Sequence, residues 1–472
     1  MRAVGGTTSL RDRVVGIDQP TPLLDGSMVP YVNLDNAAST PPLRDVADAV
    51  AEFLPLYSSV HRGSGFKSRL STMVYDQAHE IIARFVGADP ATNTVIFGKN
   101  TTEAVNKLSY RLPFDDDSVV ITTVMEHHSN DLPWRNRARC VYVAATPDGR
   151  LDEEDFDRQL RKYEGRIAIV AVTAASNVTG FIQPVHRLAR MAHDVGAKIV
   201  VDVAQLAPHR RVDMKPDADP EHLDFVVLAG HKMYAPLGAG ALVGPAEFFL
   251  ESQPEYTGGG TVDAVTLDDV HWAGMPDRDE AGSPNVVGAM AMAKAAQVLM
   301  EVGMDRIAAH EAHLTAYTLE RLAAVPNVRV YGDTNPATSD TRVGVIPFSV
   351  EDVHHYLVAA VLGYEGGVGV RSGCFCAHPY VVHLLQLPQE ALERWKTRVL
   401  RGDRRGMPGM VRASFGCYSD TGDADRLVEM VDRVARGAYQ GQYDEHPASG
   451  EFLPRGYREP LARFFTLEAA DD

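Results

Sequence analysis

Short apolar runs alternate with amphipathic stretches through the middle of the chain, between about residues 90 and 245. The runs are rich in Val and Ile and bounded by turn residues, which is typical of buried strands in a parallel sheet. They lie at residues 94–97, 119–123, 141–144, 168–173, 198–203, 225–228 and 240–243. The stretches between them, such as 151–163 and 185–195, have helical spacing. This alternation predicts an α/β domain with a mainly parallel seven-stranded sheet.

The pattern changes after Gly258-Gly259-Gly260. Two long helical patterns follow at 285–302 and 304–324, and strands and helices then alternate less regularly, which predicts a smaller α+β domain. Residues 384–409 are rich in Arg, Gln and Gly, and we interpret them as an insertion between two strands. The predicted division is an arm at 1–30, a large domain at 31–285, a small domain at 286–440 and a tail at 441–472. Part of the amino-terminal segment is also predicted to pack on the small domain.

Composition narrows the class of protein. The 472 residues are 45% hydrophobic and 23% charged, as in globular proteins, and this length favours two associated domains. A net charge of −17 disfavours nucleic acid and anionic membrane as partners, and no apolar run is long enough to cross a bilayer. The first 22 residues lack the apolar core of a signal peptide, and the four cysteines form no disulfide framework. We therefore expect a cytoplasmic protein with reduced thiols.

Two charged residues stand at the ends of predicted strands. Lys232 follows the run 225–228, where burial would lower the pKa of its ammonium group and favour imine formation with an aldehyde. The alternative is a surface lysine at a strand end. Asp202 is the next-to-last residue of the run 198–203 and, if buried, needs a cationic partner such as a protonated pyridine nitrogen. The alternative is an aspartate that caps the next helix.

Two further turns carry polar groups after strands. Asn100-Thr101-Thr102-Glu103 begins a helical pattern, so its amides and hydroxyls can bind phosphate, or it can be a plain N-cap. His127 follows the run 119–123 and can stack on a planar ring; a helix cap or a metal site are its alternatives. No neighbouring residues form a metal-ligand cluster, so we expect no metal there.

Together these residues favour one cofactor. Ligands of open α/β sheets bind at the carboxyl ends of strands, where the lysine, aspartate, histidine and phosphate-type turn all fall. Pyridoxal 5′-phosphate (PLP), held by an imine bond to Lys232, fits this set better than a dinucleotide or nucleoside triphosphate, because no corresponding glycine-rich fingerprint is present.

The chain resembles the fold-type I, class-V aminotransferase family of PLP-dependent transferases, and within it the Suf-type cysteine desulfurases. The resemblance covers most of the chain, from Leu34-Asp35-Asn36-Ala37-Ala38 to Arg412-Ala413-Ser414-Phe415. The matching segments between these are His61-Arg62-Gly63, Thr101-Thr102-Glu103-Ala104, Glu126-His127-His128-Ser129-Asn130, Ser176-Asn177-Val178-Thr179-Gly180, Asp202-Val203-Ala204-Gln205, Gly230-His231-Lys232-Met233-Tyr234 and Glu280-Ala281-Gly282-Ser283-Pro284-Asn285.

The resemblance implies roles for these residues. Lys232 would hold the cofactor and move protons at the substrate α-carbon, Asp202 would pair with the pyridine nitrogen, and Gln205 would reach the ring hydroxyl. His127 would stack on the ring and serve in acid–base steps. The phosphate would be held by Thr101, Thr102, His231 and, from a neighbouring subunit of a homodimer, Ser283. The amino-acid substrate would be held by Asn177, Arg371 and Arg412, the last gripping its carboxylate bidentately.

The segment from Arg371 to Pro379 decides the reaction. The resemblance places the nucleophilic cysteine of the desulfurases at Cys376, whose thiolate would attack the sulfur of bound L-cysteine to give L-alanine and an enzyme persulfide. Arg371 or His378 would favour the thiolate. A small buried hydrophobe is the alternative for Cys376.

The chain departs from the usual desulfurase pattern in three places. Cys374-Phe375-Cys376 also resembles molybdenum-cofactor sulfurases, and Ala229 stands where a phosphate-binding serine is common. The insertion at 384–409 would cover the site, exclude a sulfur-accepting protein, or provide a binding surface for an acceptor specific to this protein.

Several competing functions stay open on the sequence. Another class-V PLP enzyme, such as a selenocysteine or C–S lyase, an epimerase or an aminotransferase, would not need Cys376. A non-catalytic scaffold would bind no cofactor. A metal-dependent hydrolase is disfavoured, because the sequence shows no ligand cluster at suitable spacing.

Overall fold

The computed structural model describes residues 10–467. Its helices are α1 Arg44–Phe53, α2 Phe66–Phe85, α3 Thr101–Arg111, α4 Leu132–Arg135, α5 Glu153–Lys162, α6 Val185–His193, α7 Ala246–Glu251, α8 Val286–Val302, α9 Met304–Ala323, α10 His355–Gly366, α11 His378–Leu385, α12 Gln389–Leu400 and α13 Thr421–Ala435. Its strands are β1 Pro20–Pro22, β2 Met28–Pro30, β3 Val32–Asn33, β4 Asn93–Gly98, β5 Val119–Thr123, β6 Arg139–Val143, β7 Ile167–Thr173, β8 Ile199–Asp202, β9 Phe225–Ala229, β10 Gly240–Pro245, β11 Val262–Val265, β12 Val270–Trp272, β13 Val328–Val330, β14 Val345–Val350, β15 Val368–Gly369, β16 Arg371–Gly373, β17 Met410–Ser414, β18 Tyr443–Glu445 and β19 Phe452–Pro454.

A seven-stranded sheet forms the centre of the large domain, in the order β4-β10-β9-β8-β7-β5-β6. The strands β5 to β9 pair in parallel, and β10 is antiparallel to both β9 and β4. Separate apolar cores lie on the two faces of the sheet, which is why its strands are continuously apolar. The predicted α/β fold with a mainly parallel seven-stranded sheet is confirmed.

The direction of the strands fixes where the polar turns meet. Because β10 is antiparallel to both neighbours, β4 runs in the same direction as β5 to β9. The carboxyl ends of β4, β5, β8 and β9 therefore lie at one edge of the sheet. The turns that carry Thr101, His127, Asp202 and Lys232 follow those ends.

A four-stranded antiparallel sheet, β13-β14-β17-β16, forms the smaller α+β region. Its core includes side chains from α9, α10 and α13 and also Leu34 from the amino-terminal segment. That segment enters through β3, which pairs with β15, and through a bridge between Asp35 and Ser414. Helix α8 instead contributes its buried side chains to the large core.

Residues 384–409 lie between β16 and β17 and are largely helical. They include the end of α11 and all of α12, which has no buried residue. Within residues 10–467 no single helix has the length and apolarity of a membrane span; α8 and α9 reach that threshold only as a pair, with a 78° bend between them.

Candidate functional site

A cavity of about 340 Å³ opens at the carboxyl edge of the large sheet. The predicted residues that line it are Thr101, Thr102, His127, Asn177, Asp202, His231, Lys232, Arg371, Cys376 and Arg412. A larger cleft, of about 950 Å³, lies near Arg13 and Lys294 and contains none of the predicted site residues. Most of the predicted catalytic and binding residues therefore lie together in the smaller cavity.

Lys232 and Asp202 form the floor of this cavity. Lys232 ends a short 3-10 turn after β9, and Asp202 is the last residue of β8. Burial lowers the pKa of Lys232, against the opposing charge of Asp202, and burial raises the pKa of Asp202. The Asp202 carboxylate accepts a hydrogen bond from the Ala204 amide at 2.9 Å. A lysine of lowered pKa can act as an amine nucleophile, and the buried carboxylate beside it can pair with a cationic ligand.

The amino terminus of α3 forms one wall. Asn100 caps the helix by accepting a hydrogen bond from the Glu103 amide, so the predicted N-cap is present. The side-chain hydroxyls of Thr102 and Ser129 are hydrogen-bonded to each other beside this helix start, with their oxygens 2.6 Å apart. A Cβ added at Gly240 would lie 2.6 Å from the Asn100 backbone, so glycine is required for β10 to approach this turn. Free amides at a helix start bind anions.

His127 lies in the cavity as a neutral ring. Its Nδ1 accepts a hydrogen bond from the Ser129 amide at 3.1 Å, which leaves the proton on Nε2. Burial, together with the charge of Lys232, lowers the pKa of His127 to about 3. Burial likewise lowers the pKa of His231 to about 4. His127 thus caps the turn that follows β5, as one alternative predicted, and also lines the cavity.

Two arginines lie at the side formed by the small domain. Arg412 on β17 donates to the Asn177 carbonyl at 2.9 Å and to Asp35 at 3.1 Å, and its Nε is buried without a hydrogen-bond partner. Arg371 contacts the other Asp35 oxygen at 2.7 Å. Burial lowers the pKa of Arg412 to about 10, which leaves it cationic at neutral pH. Because Arg412 also lines the cavity, its guanidinium is a cationic group beside any anion bound there.

Asp35 is a site residue that the sequence reasoning missed. It accepts from both arginines, although it precedes Arg412 by 377 positions in the chain. The only sequence signal was its position in the Leu34-Asp35-Asn36 motif. The local sequence gives no indication that its carboxylate balances two cations.

The two cysteines of the Cys374-Phe375-Cys376 segment occupy different environments. Cys376 is exposed at the cavity, whereas Cys374 is buried and donates to the Pro408 carbonyl at 3.2 Å. Burial raises the pKa of Cys374 to about 12. Phe375 and Cys376 both have φ of +53°, a left-handed conformation that turns the chain sharply here. The buried-hydrophobe alternative therefore describes Cys374 and not Cys376.

Contacts on both sides hold this loop in place. The His128 amide donates to the Cys376 carbonyl at 2.8 Å, and Asn177 donates to the Phe375 carbonyl at 2.8 Å. The Phe375 ring lies under the Arg412 guanidinium, 4.9 Å from ring centroid to carbon. The loop that carries the exposed thiol is thus tied to the residues around the cavity.

A stack of three rings connects the insertion to this loop. The rings of His128 and His378 are parallel, with centroids 4.8 Å apart, and Trp395 of α12 lies 5.7 Å beyond His378. The sequence did not predict this stack, because its members come from three separate segments.

Two predicted residues lie outside the cavity wall. Gln205 is buried near Asp202, and its Oε1 has no hydrogen-bond partner among residues 10–467. Ser283 lines a separate cavity of about 440 Å³ with His61 and Arg62. The described chain by itself does not bring Ser283 to Lys232.

The comparisons with known proteins agree with this architecture. The family model for aminotransferase class-V matches residues 32–427. A cysteine desulfurase from Haloferax volcanii is 34% identical over 441 residues, covering 91% of this chain and 96% of the relative. A probable cysteine desulfurase from Streptomyces coelicolor is 35% identical over 424 residues, covering 87% and 93%.

Solved structures show the same likeness. The apo cysteine desulfurase from Thermococcus onnurineus matches with a TM-score of 0.77 and 30% identity, over 92% of this chain and all of that one. A cysteine desulfurase from Escherichia coli matches with a TM-score of 0.72 and 28% identity, over 87% and 96%. The fold is therefore fold type I of the PLP-dependent enzymes, as predicted. The chain belongs to the class-V aminotransferase family.

Proposed function

We propose that this protein is a PLP-dependent cysteine desulfurase, which converts L-cysteine to L-alanine and transfers the sulfur to Cys376 as a persulfide. The observation that carries the proposal is an exposed thiol, Cys376, at the cavity that also holds Lys232, Asp202 and Arg412. The similarity to cysteine desulfurases over about nine-tenths of the chain supports the same function.

The residues present fit PLP. Asp202 is a buried carboxylate that suits a pyridinium partner, and Gln205 and Thr101 have buried side-chain oxygens without hydrogen-bond partners. The start of α3, with Thr102 and neutral His231, supplies donors for a phosphate group. Lys232 at lowered pKa is the covalent anchor. When bound, PLP supplies an electron sink that stabilises negative charge at the α-carbon of an amino acid.

The substrate is oriented by its carboxylate. Arg412 remains cationic and lines the cavity, so its guanidinium can pair with the substrate carboxylate. Asn177 contributes its carbonyl to Arg412 and its side-chain amide to the Phe375 carbonyl, so it links the carboxylate site to the cysteine loop. An amino acid held in this way places its side chain toward Cys376.

Lys232 and Cys376 then act on the two ends of the substrate. Lys232, as a free amine of reduced pKa, moves a proton at the α-carbon. The Cys376 thiolate attacks the substrate sulfur: the new S–S bond forms as the substrate Cβ–Sγ bond breaks. Protonation of the electron pair left on Cβ gives the methyl group of alanine. His127, neutral with its proton on Nε2, provides a hydrogen-bond donor beside Lys232.

The finer parts of the proposal concern partners and location. We propose a cytoplasmic homodimer in which Ser283 of each chain completes the phosphate site of the other, and a sulfur-acceptor protein that takes the persulfide sulfur. The exposure of Cys376 supports access by an acceptor. Helix α12 contacts the loop that carries Cys376, because its Trp395 ring stacks on the His378 ring.

The test uses L-cysteine, a thiol reductant and matched cysteine variants. We expect alanine and sulfide from wild type, at least a hundredfold less from Cys376→Ala, and nearly normal turnover from Cys374→Ala, because the Cys374 thiol is buried. Lys232→Ala should lack both turnover and the absorbance of covalently held cofactor. Full activity of Cys376→Ala would contradict the desulfurase proposal and favour a selenocysteine or C–S lyase, an epimerase or an aminotransferase. Absence of cofactor absorbance in wild type would contradict PLP itself.

A further inference from the structure

Two histidines and an aspartate form a cluster at the opposite edge of the sheet from Lys232. His193 ends α6, His222 lies in the loop before β9, and Asp224 directly precedes β9. Because β8 and β9 are parallel, this cluster lies at their amino ends and Lys232 at the carboxyl end. The length of β9 separates them by about 17 Å, at roughly 3.3 Å per residue. The proposed reaction does not use this cluster.

The hydrogen bonds of the two histidines fix their neutral tautomers. His193 Nδ1 lies 2.9 Å from the Pro220 carbonyl, and His222 Nδ1 lies 2.7 Å from the Asp219 carbonyl. A carbonyl oxygen only accepts, so each Nδ1 carries a hydrogen. In the neutral rings the lone pairs therefore lie on Nε2, the usual ligand atom of a metal-binding histidine with such a carbonyl partner.

Both Nε2 atoms face the Asp224 carboxylate. The distance is 2.9 Å from His193 to Oδ2 and 3.8 Å from His222 to Oδ1. Three possible ligand atoms thus converge on one point, where a divalent cation could replace the hydrogens that the two rings otherwise donate to Asp224. The Ile199 amide donates to Asp224 Oδ2 at 2.9 Å and holds the carboxylate in position.

One divalent metal ion would use both Nε2 lone pairs and the Asp224 carboxylate together, because all three groups face the same point. The two rings are stacked with centroids 4.4 Å apart, and the Lys198 ammonium, 3.1 Å from Asp224 Oδ1, is the cation that a metal ion would displace. The Lys198 side chain is 49% exposed, so its ammonium is free to move into water.

The spacing and donor types point to zinc. The three ligand atoms lie within 4.8 Å of one another. Ligand atoms around a tetrahedral Zn²⁺ lie about 3.3 Å apart, which follows from bonds of about 2.0 Å. Small side-chain rotations therefore close the site. Imidazole and carboxylate donors suit Zn²⁺.

We propose that His193, His222 and Asp224 form a Zn²⁺ site, with water as the fourth ligand, which joins the end of α6 to the start of β9. The histidine side chains are 19% and 20% exposed, so solvent reaches the open coordination position. The site is independent of the proposed desulfurase activity. Histidines separated by 29 positions do not form a recognisable metal motif, which is why the sequence showed no cluster.

The test is a calorimetric titration of the full-length protein with Zn²⁺. All variants carry Cys376→Ala, so that the exposed thiol does not bind zinc. We expect one equivalent of Zn²⁺ with a raised thermal midpoint, and at least about tenfold weaker binding in His193→Gln/His222→Gln. Lys198→Met should bind several-fold more tightly, because a competing positive charge is removed.

The matched control is His186→Gln on the same helix. His186 Nδ1 also faces a backbone carbonyl, that of Glu221 at 2.9 Å, but the ring has no place in the cluster. Its substitution should leave zinc binding unchanged. Absence of one-to-one binding in the parent protein, or an equal loss in His186→Gln, would overturn the proposal. Either result would leave the desulfurase proposal unaffected.

Discussion

Arg412 is the residue on which substrate orientation depends most in the proposed mechanism. Its guanidinium is buried, contacts Asp35 and the Asn177 carbonyl, and lines the cavity. Arg371 shares Asp35 but is half exposed, so water screens its charge. The two arginines therefore make different contributions, although the sequence assigned both to the substrate.

We predict that Arg412→Lys raises the KM for L-cysteine about 10- to 100-fold, with a smaller change in kcat. Lysine lacks the planar pair of donors, and loss of a charge-assisted hydrogen bond costs about 1.5 to 3 kcal/mol. Arg371→Lys is the control and should change KM less than about threefold, because its side chain is exposed. Steady-state kinetics of both variants measure the difference. An equal effect of the two substitutions would contradict the assignment.

Helix α12 is the element whose role the local sequence left open. It has no buried residue, and Trp395 contacts the cysteine loop through the His378 ring. The indole Nε1 of Trp395 is nevertheless buried, with no hydrogen-bond partner in the part of the chain that the structure describes. The helix is therefore attached to the site mainly by this ring stack.

We predict that Trp395→Ala increases amide hydrogen exchange in residues 374–378 and in α12 about tenfold or more, because removal of the stack frees the loop. Leu400→Ala on the same helix is the control, since Leu400 is 79% exposed. Cofactor absorbance should stay unchanged in both. Unchanged exchange in Trp395→Ala would show that the backbone contacts of Cys376 hold the loop without the stack.

The elements also show what the sequence can and cannot predict. Strands such as β7 and β9 were predicted to within a residue or two, because a strand covered on both faces is a continuous apolar run. The sequence also placed Lys232 after β9 and Asp202 at the end of β8, and hence at one edge of the sheet, since parallel strands share an end. Contacts between distant segments, such as Asp35 with Arg412 or His193 with Asp224, leave no local pattern.

At the scale of the whole molecule, buried histidines make stability depend on pH. His355 is the first residue of α10; its Nε2–H donates to the Met407 carbonyl at 2.9 Å, and its Nδ1 is buried without a partner. Burial lowers the pKa of His355 to about 3. The unfolded chain takes up a proton below pH 6.5 that the folded chain does not, so stability falls as the pH decreases.

We predict that His355 accounts for about 2 kcal/mol of the loss in unfolding free energy between pH 7 and pH 5. His355→Gln should therefore lose about that much less than wild type over this interval, measured by urea unfolding. Glu126 works in the opposite direction: burial raises its pKa to about 8, so its contribution is lost as the pH rises. Comparing variant with wild type cancels the Glu126 contribution. Identical pH profiles would contradict the prediction.

The pairing of the amino-terminal segment with the small domain has a consequence for synthesis of the chain. Asp35 leaves the ribosome early, whereas its partner Arg412 follows some 380 residues later. At about 5 to 20 residues per second this interval lasts roughly 20 to 75 seconds. The large sheet can fold during that time, with Lys232 and Asp202 already in place, but the carboxylate site cannot form. The nascent chain therefore brings together the residues proposed for the cofactor ring before those proposed for the substrate carboxylate.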